Sequence, residues 1–521
     1  MKGAVAAGHP LTAQAGARIL EEGGNAVDAC IAAGFVSWVA ESPLTGPGAG
    51  GFMLVHRGRD RTDRVLDFFV AIPGRGLPAG DDGGEMLTVE VAFDARTVQC
   101  FRIGPASCAV PGAVAGLAEA HRLYARLPWS ELIAPAVELA RRGVELSGPQ
   151  AFFHEILDVA LRLEPAGRRI YGEQGPLGAG DTLVMSDLAA TLEWIAAEGP
   201  ETFYAGELAR RIVETVRGGG GRITDEDLAS YRVIRRRPVR ARYRGHDFVS
   251  NPPPSSGGLL LAFALAALDL AGRMPPAGTA EAIALLAEAM REATRARGGS
   301  FAADLQRGGA AARLLAPERL RAAASAVRRL AGGRVREPAG APSTTHVSVV
   351  DAAGNAASLS ASTGCGSGVV VPETGIQLNN MLGEEDLSPG GRGPAGRRLT
   401  SMMAPSLVLE GGTPRLVVGS AGSIRLRAAI LQIVLNVVDH GMSAVEAIDA
   451  PRIHLDGDVL QLEGGIDAEA ADRLEDEGYE VSRWEGLNVY FGGAAAVVLR
   501  PSGGLEAAGD PRRGGAGVVV G

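Results

Sequence analysis

Four residues, Ser343-Thr344-Thr345-His346, stand where a Gly, Ala, Arg and Pro-rich stretch gives way to alternating polar and apolar residues. If the peptide bond before Thr344 were opened, that residue would carry a hydroxyl and a free α-amine together. An α-amine has a reference pKa near ~8, so part of it is unprotonated at neutral pH. Such an amine takes the proton of its own hydroxyl, making one residue both nucleophile and general base. The tetrapeptide also reads as an ordinary strand start, because Thr favours strands. Alone it leaves the two readings open.

Other chemistries find little support. Lys2 is the only lysine, which removes lysine as a base or Schiff-base former. Cys30, Cys100, Cys108 and Cys365 form no Cys-x-x-Cys pair. His9, His56, His121 and His154 lack metal-ligand spacing, so neither a disulfide framework nor a metal site is expected. The net charge is -9 without a strong block of one sign, and Arg235-Arg236-Arg237 reads as a solvated or salt-bridged face rather than a nucleic-acid surface. Hydrophobic residues make up 46%, enough for a large core. The longest apolar run, Leu259 to Leu268, is too short to span a bilayer. Residues 1–17 lack the apolar centre of a signal peptide and run into a helical pattern, so a cytoplasmic location without membrane contact is expected.

The elements that would hold Thr344 follow from periodicity. A first helix, capped by Thr12 or a neighbour, ends at Gly23-Gly24, and a second starts at Asn25-Ala26-Val27-Asp28. A Gly-rich turn, Gly46 to Gly51, precedes a buried strand from Phe52. Ala/Leu/Arg-rich helices fill about 110–300, and about 302–343 reads as a flexible polar linker. Strands are expected over Thr345 to Val350 and Ala356 to Ser362, joined by a hairpin turn at Asp351 to Asn355. Two more fall within Leu407 to Val418, helices at Arg427 to Asp439 and Ala444 to Ile448, and late strands near Val459 and Ala494 to Leu499. Strands and helices on both sides of one connector suit a mixed α/β (α+β) four-layer αββα sandwich.

The chain resembles the γ-glutamyltransferases. The matching blocks run in that family's order. They include His9-Pro10-Leu11, Gly23 to Ala29, Gly48 to Leu54, Val110 to Gly116 and Pro254 to Gly258. The series continues through Thr344 to Asp351, Gly375 to Met381, Ala404-Pro405-Ser406, Gly419 to Arg425 and Ala450-Pro451-Arg452. The resemblance implies the N-terminal-nucleophile hydrolase fold and a precursor that cuts itself between Ser343 and Thr344. Residues 1–343 would be a large chain and 344–521 a small one, intertwined in one catalytic domain. Thr344 would open an acyl bond and pass the acyl group to water or an amine, without a cofactor. By the same resemblance Ser362 supports the nucleophile, and Gly422 and Ser423 supply oxyanion-binding N–H groups. Thr400 and Ser401 hold a substrate carboxylate, and Asn380 lines or braces the site.

The sequence departs from the family where the glutamyl head group is read. The family's carboxylate-binding arginine is replaced by Phe69, with Arg75 a nearby candidate substitute. An asparagine becomes Thr363, and the aspartate that grips the substrate amine becomes Glu384. The lid region Leu387 to Arg398 is short. Three readings follow: a γ-glutamyltransferase or glutathione hydrolase; a hydrolase of another acyl substrate, including oxamate-type amides or carbon–carbon cleavage in a natural-product pathway; and an inactive homologue that binds a ligand. Cys365 is expected to be a small buried side chain rather than a second nucleophile.

Overall fold

The computed structural model describes residues 2–78, 80–92, 98–330, 344–384, 387 and 393–521. Among them, seven strands form one antiparallel sheet, in the order Ala516–Val520, Gly3–Ala7, Thr345–Asp351, Ala356–Ser362, Gly50–Arg57, Thr62–Phe68 and Ile234–Arg236. Six form a second antiparallel sheet, in the order Leu505–Gly509, Gly493–Leu499, Thr413–Ala421, Ser406–Glu410, His246–Ser250 and Val239–Tyr243. Both sheets mix strands from before and after residue 343, so the two parts of the chain share one fold.

The helix Ala26–Ala40, apolar except for Asp28 and Ser37, is buried on every side and starts on an Asn25–Asp28 capping box. Its neighbour Pro10–Glu21 is capped by His9, whose Nδ1 accepts from the Leu11 N–H at 3.0 Å. Thr12, the expected cap, lies inside the helix instead. These helices cover the outer face of the first sheet, packing on Val347, Val349, Ala357 and Leu359. Gly257–Ala271 and Leu426–Val438 cover the outer face of the second. The result is the four-layer αββα sandwich.

The hairpin turn forms where expected. The Asp351 carboxylate accepts from the N–H groups of Ala353 and Asn355, at 2.9 and 3.0 Å. Several stretches differ from the sequence reading, among them the strands Ile234–Arg236, Val239–Tyr243 and His246–Ser250 inside the region read as helical. Gly3–Ala7 is a strand; its small residues have no alternation, and it forms because strands lie on both sides of it. Helices occupy Phe301–Arg307, Ala310–Leu314 and Pro317–Arg328, within the stretch read as a flexible linker. Leu305, Leu314, Ala323 and Val327 anchor them in the core, and Ala-rich sequence favours helix. The rest of that linker, 331–343 with Ser343, lies outside the described residues.

Between the sheets runs a polar seam. His346, Ser348, Ser358 and Ser360 are all buried, facing the second sheet. His346 Nδ1 lies 2.8 Å from Ser360 Oγ and Nε2 2.9 Å from Ser348 Oγ. The Ser348 hydroxyl donates to the Ala495 carbonyl at 3.1 Å. Its one proton is thus committed, so the His346 Nε2–H donates to Ser348 and Nδ1 accepts from Ser360. Gly419 lies against the imidazole; a Cβ there would stand 2.2 Å from Cε1.

Candidate active site

Thr344 precedes the strand Thr345–Asp351. Thr345 pairs with Ala361, so continuing the register sets Thr344 across from Ser362. Both are buried, at 4% and 3% exposure. They line one cavity with Phe69, Glu384, Ser401 and Ser423, six residues singled out from sequence. The rest of the described wall is apolar: Met381, Leu387, Met402, Met403 and Leu426. The described lining holds one carboxylate, Glu384, and neither arginine nor lysine.

Several side chains were not legible as neighbours of Thr344. Its carbonyl accepts from Arg513 Nη1 at 2.7 Å, and Arg513 Nη2 pairs with Glu41 Oε2 at 2.8 Å. Glu41 also takes the hydroxyls of Thr345, at 2.5 Å, and Thr12, at 3.0 Å. Glu41 caps the end of a helix that is apolar except for Asp28 and Ser37, a faint sign of a buried carboxylate. Arg513, in Asp510-Pro511-Arg512-Arg513, carries no local signal.

The Ser362 hydroxyl accepts from the Gly364 N–H at 2.9 Å, bending the chain as it leaves the strand. Gly422 and Ser423 form the turn between the strand Thr413–Ala421 and the helix Leu426–Val438. Their φ values are 120° and 55°. Gly422 tolerates this; Ser423 occupies a left-handed conformation that costs an L-residue about 1 kcal/mol. Leu426, the first residue of that helix, lines the cavity, so the positive end of the helix dipole faces it. Ser423→Gly is therefore expected to raise stability by about 1 kcal/mol and keep turnover within a few-fold. Denaturant unfolding and kcat check this, and a large loss of kcat would mean the Ser423 side chain is itself needed.

Gly422 is not itself among the lining residues, and four other predicted residues stand elsewhere. Thr363 is fully buried; its N–H donates to the Leu44 carbonyl and its own carbonyl accepts from Asn380, so the turn after the strand carries it off the cavity. Asn380 braces the interior, its Nδ2 reaching the Arg102 carbonyl at 3.3 Å and Cys365 Sγ at 3.0 Å. The Thr400 hydroxyl donates to the Leu387 carbonyl at 2.9 Å, holding a wall residue instead of lining the wall. Arg75 is anchored through its backbone to Asp227 and lies beside Gly396, outside the cavity lining. In the lining, Phe69 stacks on Phe52 with ring centroids 5.4 Å apart. Cys365 is buried, and desolvation with the nearby Glu384 carboxylate pushes its thiol well above the usual range, which disfavours it as a nucleophile. Among the described residues, no group of three or more His, Cys, Asp or Glu side chains is placed to hold a metal ion. No helix among them is long and apolar enough to cross a membrane.

Two facing antiparallel sheets between helix layers, with a buried threonine heading a central strand, are the architecture of an N-terminal-nucleophile hydrolase. The family model described as Gamma-glutamyltranspeptidase matches residues 12–520. The acylase ACY 1 proenzyme of Pseudomonas sp. (strain V22) is 35% identical, covering 100% of this chain and 94% of its own length. The glutathione hydrolase proenzyme of Escherichia coli (strain K12) is 32% identical, covering 98% and 90%. The crystal structure of a cephalosporin acylase from Bacillus halodurans superimposes with a TM-score of 0.84 at 27% identity, over 99% of this chain and 95% of that one. The chain belongs to the gamma-glutamyltranspeptidase family and is an enzyme.

Proposed function

We propose that the precursor cuts itself before Thr344, giving chains 1–343 and 344–521, and that Thr344 then carries acyl groups as an ester. In the first step the Thr344 hydroxyl attacks the Ser343 carbonyl. The peptide nitrogen leaves as the new α-amine, and water hydrolyses the resulting ester. In turnover the α-amine takes the hydroxyl proton as Oγ attacks a substrate amide, then delivers it to the departing amine. Water or an amine releases the acyl group. The N–H groups of Gly422 and Ser423 stabilise the tetrahedral oxyanion, each worth about 3 kcal/mol of barrier. What supports this reading most is that Thr344, buried at the head of a central strand, lines one cavity with Ser362 and Ser423.

The lining also favours a substrate class. A γ-glutamyl group carries a carboxylate, and the described lining, without arginine or lysine, offers it no cation, at a cost of several kcal/mol. The Met and Leu wall with Phe69 suits an apolar acyl chain, and Glu384 suits an amine on the substrate. The enzyme is accordingly an acylase of amides with a predominantly apolar acyl group. The second reading, γ-glutamyl hydrolysis, draws on the glutathione hydrolase relative and on Ser401 in the wall.

Intact-mass measurement and N-terminal sequencing test the first step; a small chain beginning at Thr344 is expected. A single chain that stays uncut on long incubation would overturn it and leave the inactive binding homologue. For the second, kcat/KM on an aliphatic acyl p-nitroanilide is expected to exceed that on γ-glutamyl-p-nitroanilide by at least about ten-fold, the equivalent of 1.4 kcal/mol. The reverse order would return the enzyme to the γ-glutamyl class.

A further inference from the structure

Thr344 has a mechanical difficulty. On the reading above, on which this inference rests, it becomes the first residue of a chain, and strand ends fray. The sheet gives it little help on one side. The strand Gly3–Ala7 pairs with Thr345–Asp351 only as far as Ala7 opposite Val347. There the chain turns away at Gly8 into the helix Pro10–Glu21, leaving residues 344–346 beyond the end of that neighbour.

Glu41 and Arg513 fill the gap. They pack against Gly8 so closely that a Cβ there would stand 2.4 Å from Glu41 Oε2 and 3.0 Å from the Arg513 guanidinium carbon. Arg513 spans two acceptors, the Thr344 carbonyl through Nη1 and Glu41 through Nη2. Glu41 in turn takes the Thr345 hydroxyl. One rigid fork thus grips consecutive residues, 344 by its main chain and 345 by its side chain. The side chains of both Glu41 and Arg513 are 2% exposed. Burial makes their mutual pairing obligatory, and buried fork geometry is the task for which arginine is suited. The grip also crosses the proposed cut, since Glu41 belongs to residues 1–343 and the other three to 344–521.

We propose that Glu41 and Arg513 are positioning residues that hold the Thr344 main chain so that its hydroxyl and α-amine face the cavity. They touch the nucleophile's own peptide and Thr345 and do not line the cavity. Their loss therefore slows chemistry and leaves substrate binding in place.

The test uses the full chain with three changes: Arg513→Lys, the doubly neutral Glu41→Gln/Arg513→Gln, and Thr345→Val. The double change avoids stranding one buried charge, which would by itself destabilise the fold. Self-cleavage rate, kcat, KM and Tm are read for each. The double variant is expected to lose about ten- to hundred-fold in kcat and in cleavage rate, with KM within about three-fold, as misplacement of a reacting group by about 1 Å does. Arg513→Lys, keeping one of the two bonds, falls between it and the parent. Should the double variant not fold, Thr345→Val decides, because it leaves the ion pair intact and removes one arm of the grip; a smaller kcat loss at unchanged KM and Tm supports the proposal. Variants that are folded and cut, with kcat within two-fold of the parent, overturn it, as does a loss that only follows the folded fraction. The parent's own N-terminal sequence is read alongside. If the parent is not cut at Thr344 the proposed function fails; if it is and the variants match it, only the clamp fails.

Discussion

Thr344→Ala is expected to leave one uncut chain of 521 residues and to lower acyl-bond cleavage about 10⁴-fold or more. The substitution removes a hydroxyl and a methyl from a buried strand end, and the hydrogen bond at this residue made by its carbonyl to Arg513 survives. The fold should therefore persist. Chemistry should not, because on the proposed mechanism the same oxygen is required twice, once against Ser343 and once against substrate. Removing a nucleophile abolishes the covalent route and leaves only what binding and oxyanion donors supply. Intact mass and turnover read both effects. Thr344→Ser, which keeps the hydroxyl, should still be cut, more slowly. A cut Thr344→Ala chain would transfer the nucleophile's role to another group, and Ser362 in the same cavity would be examined first.

Below pH 6.5 the protein is expected to lose stability steeply. Burial between the sheets, with Arg513 contributing, lowers His346 to about 3 from its ordinary 6.5. Burial lowers His154 to about 4. His454 is lowered as well, by desolvation and then by Arg425 and Arg427. The sign follows from proton counting. Between the folded and unfolded pKa values the unfolded histidine is charged and the folded one neutral, so the unfolded state binds the extra proton. Stability is then fully present above pH 6.5 and declines as pH falls, by about 1.4 kcal/mol per pH unit and histidine. His346 and His154 together would remove about 5 kcal/mol by pH 4.5, a large part of the 5–15 kcal/mol typical of a folded protein. The structural reason is the seam: His346 Nδ1 accepts from Ser360 while Nε2–H donates to Ser348, and a second proton would force Ser360 to turn around. Denaturant unfolding of the uncut Thr344→Ala chain at pH 7.5, 6 and 5 measures the slope. A flat profile over that range would mean that the seam accepts a charged imidazole.

Much of the framework around Thr344 was legible because it is local. The alternation of 345–350 and 356–362, the Asp351 to Asn355 turn and the helix after Arg427 each follow from residues within one element's reach. The fold class followed from their order. Three of the misreadings share one reason: the conformation is imposed from a distance. Gly3–Ala7 has no pattern of its own and is a strand because strands flank it. The Ala-rich stretch after Phe301 resembles a linker until Leu305, Leu314 and Val327 meet the core. Thr12 looks like a cap, yet is drawn inward to Glu41.

The site divides along the same line. The resemblance carried by the ordered blocks singled out Thr344, Ser362, Ser423, Glu384, Ser401 and Phe69; residue type alone left even Thr344 open. Tertiary structure alone decided that these six share a wall, that Gly422, Thr363, Asn380 and Thr400 do not line it, and that Met381, Leu387, Met402, Met403 and Leu426 join it among the described residues. It alone joined Glu41 to Arg513, 472 positions away. The serines of the inner strands make the limit plainest. Ser348, Ser358 and Ser360 alternate with apolar residues as in any strand with one wet face, and only the second sheet, lying over that face, makes it an interior. Periodicity records which residues share a face; what lies against that face depends on chain hundreds of residues away.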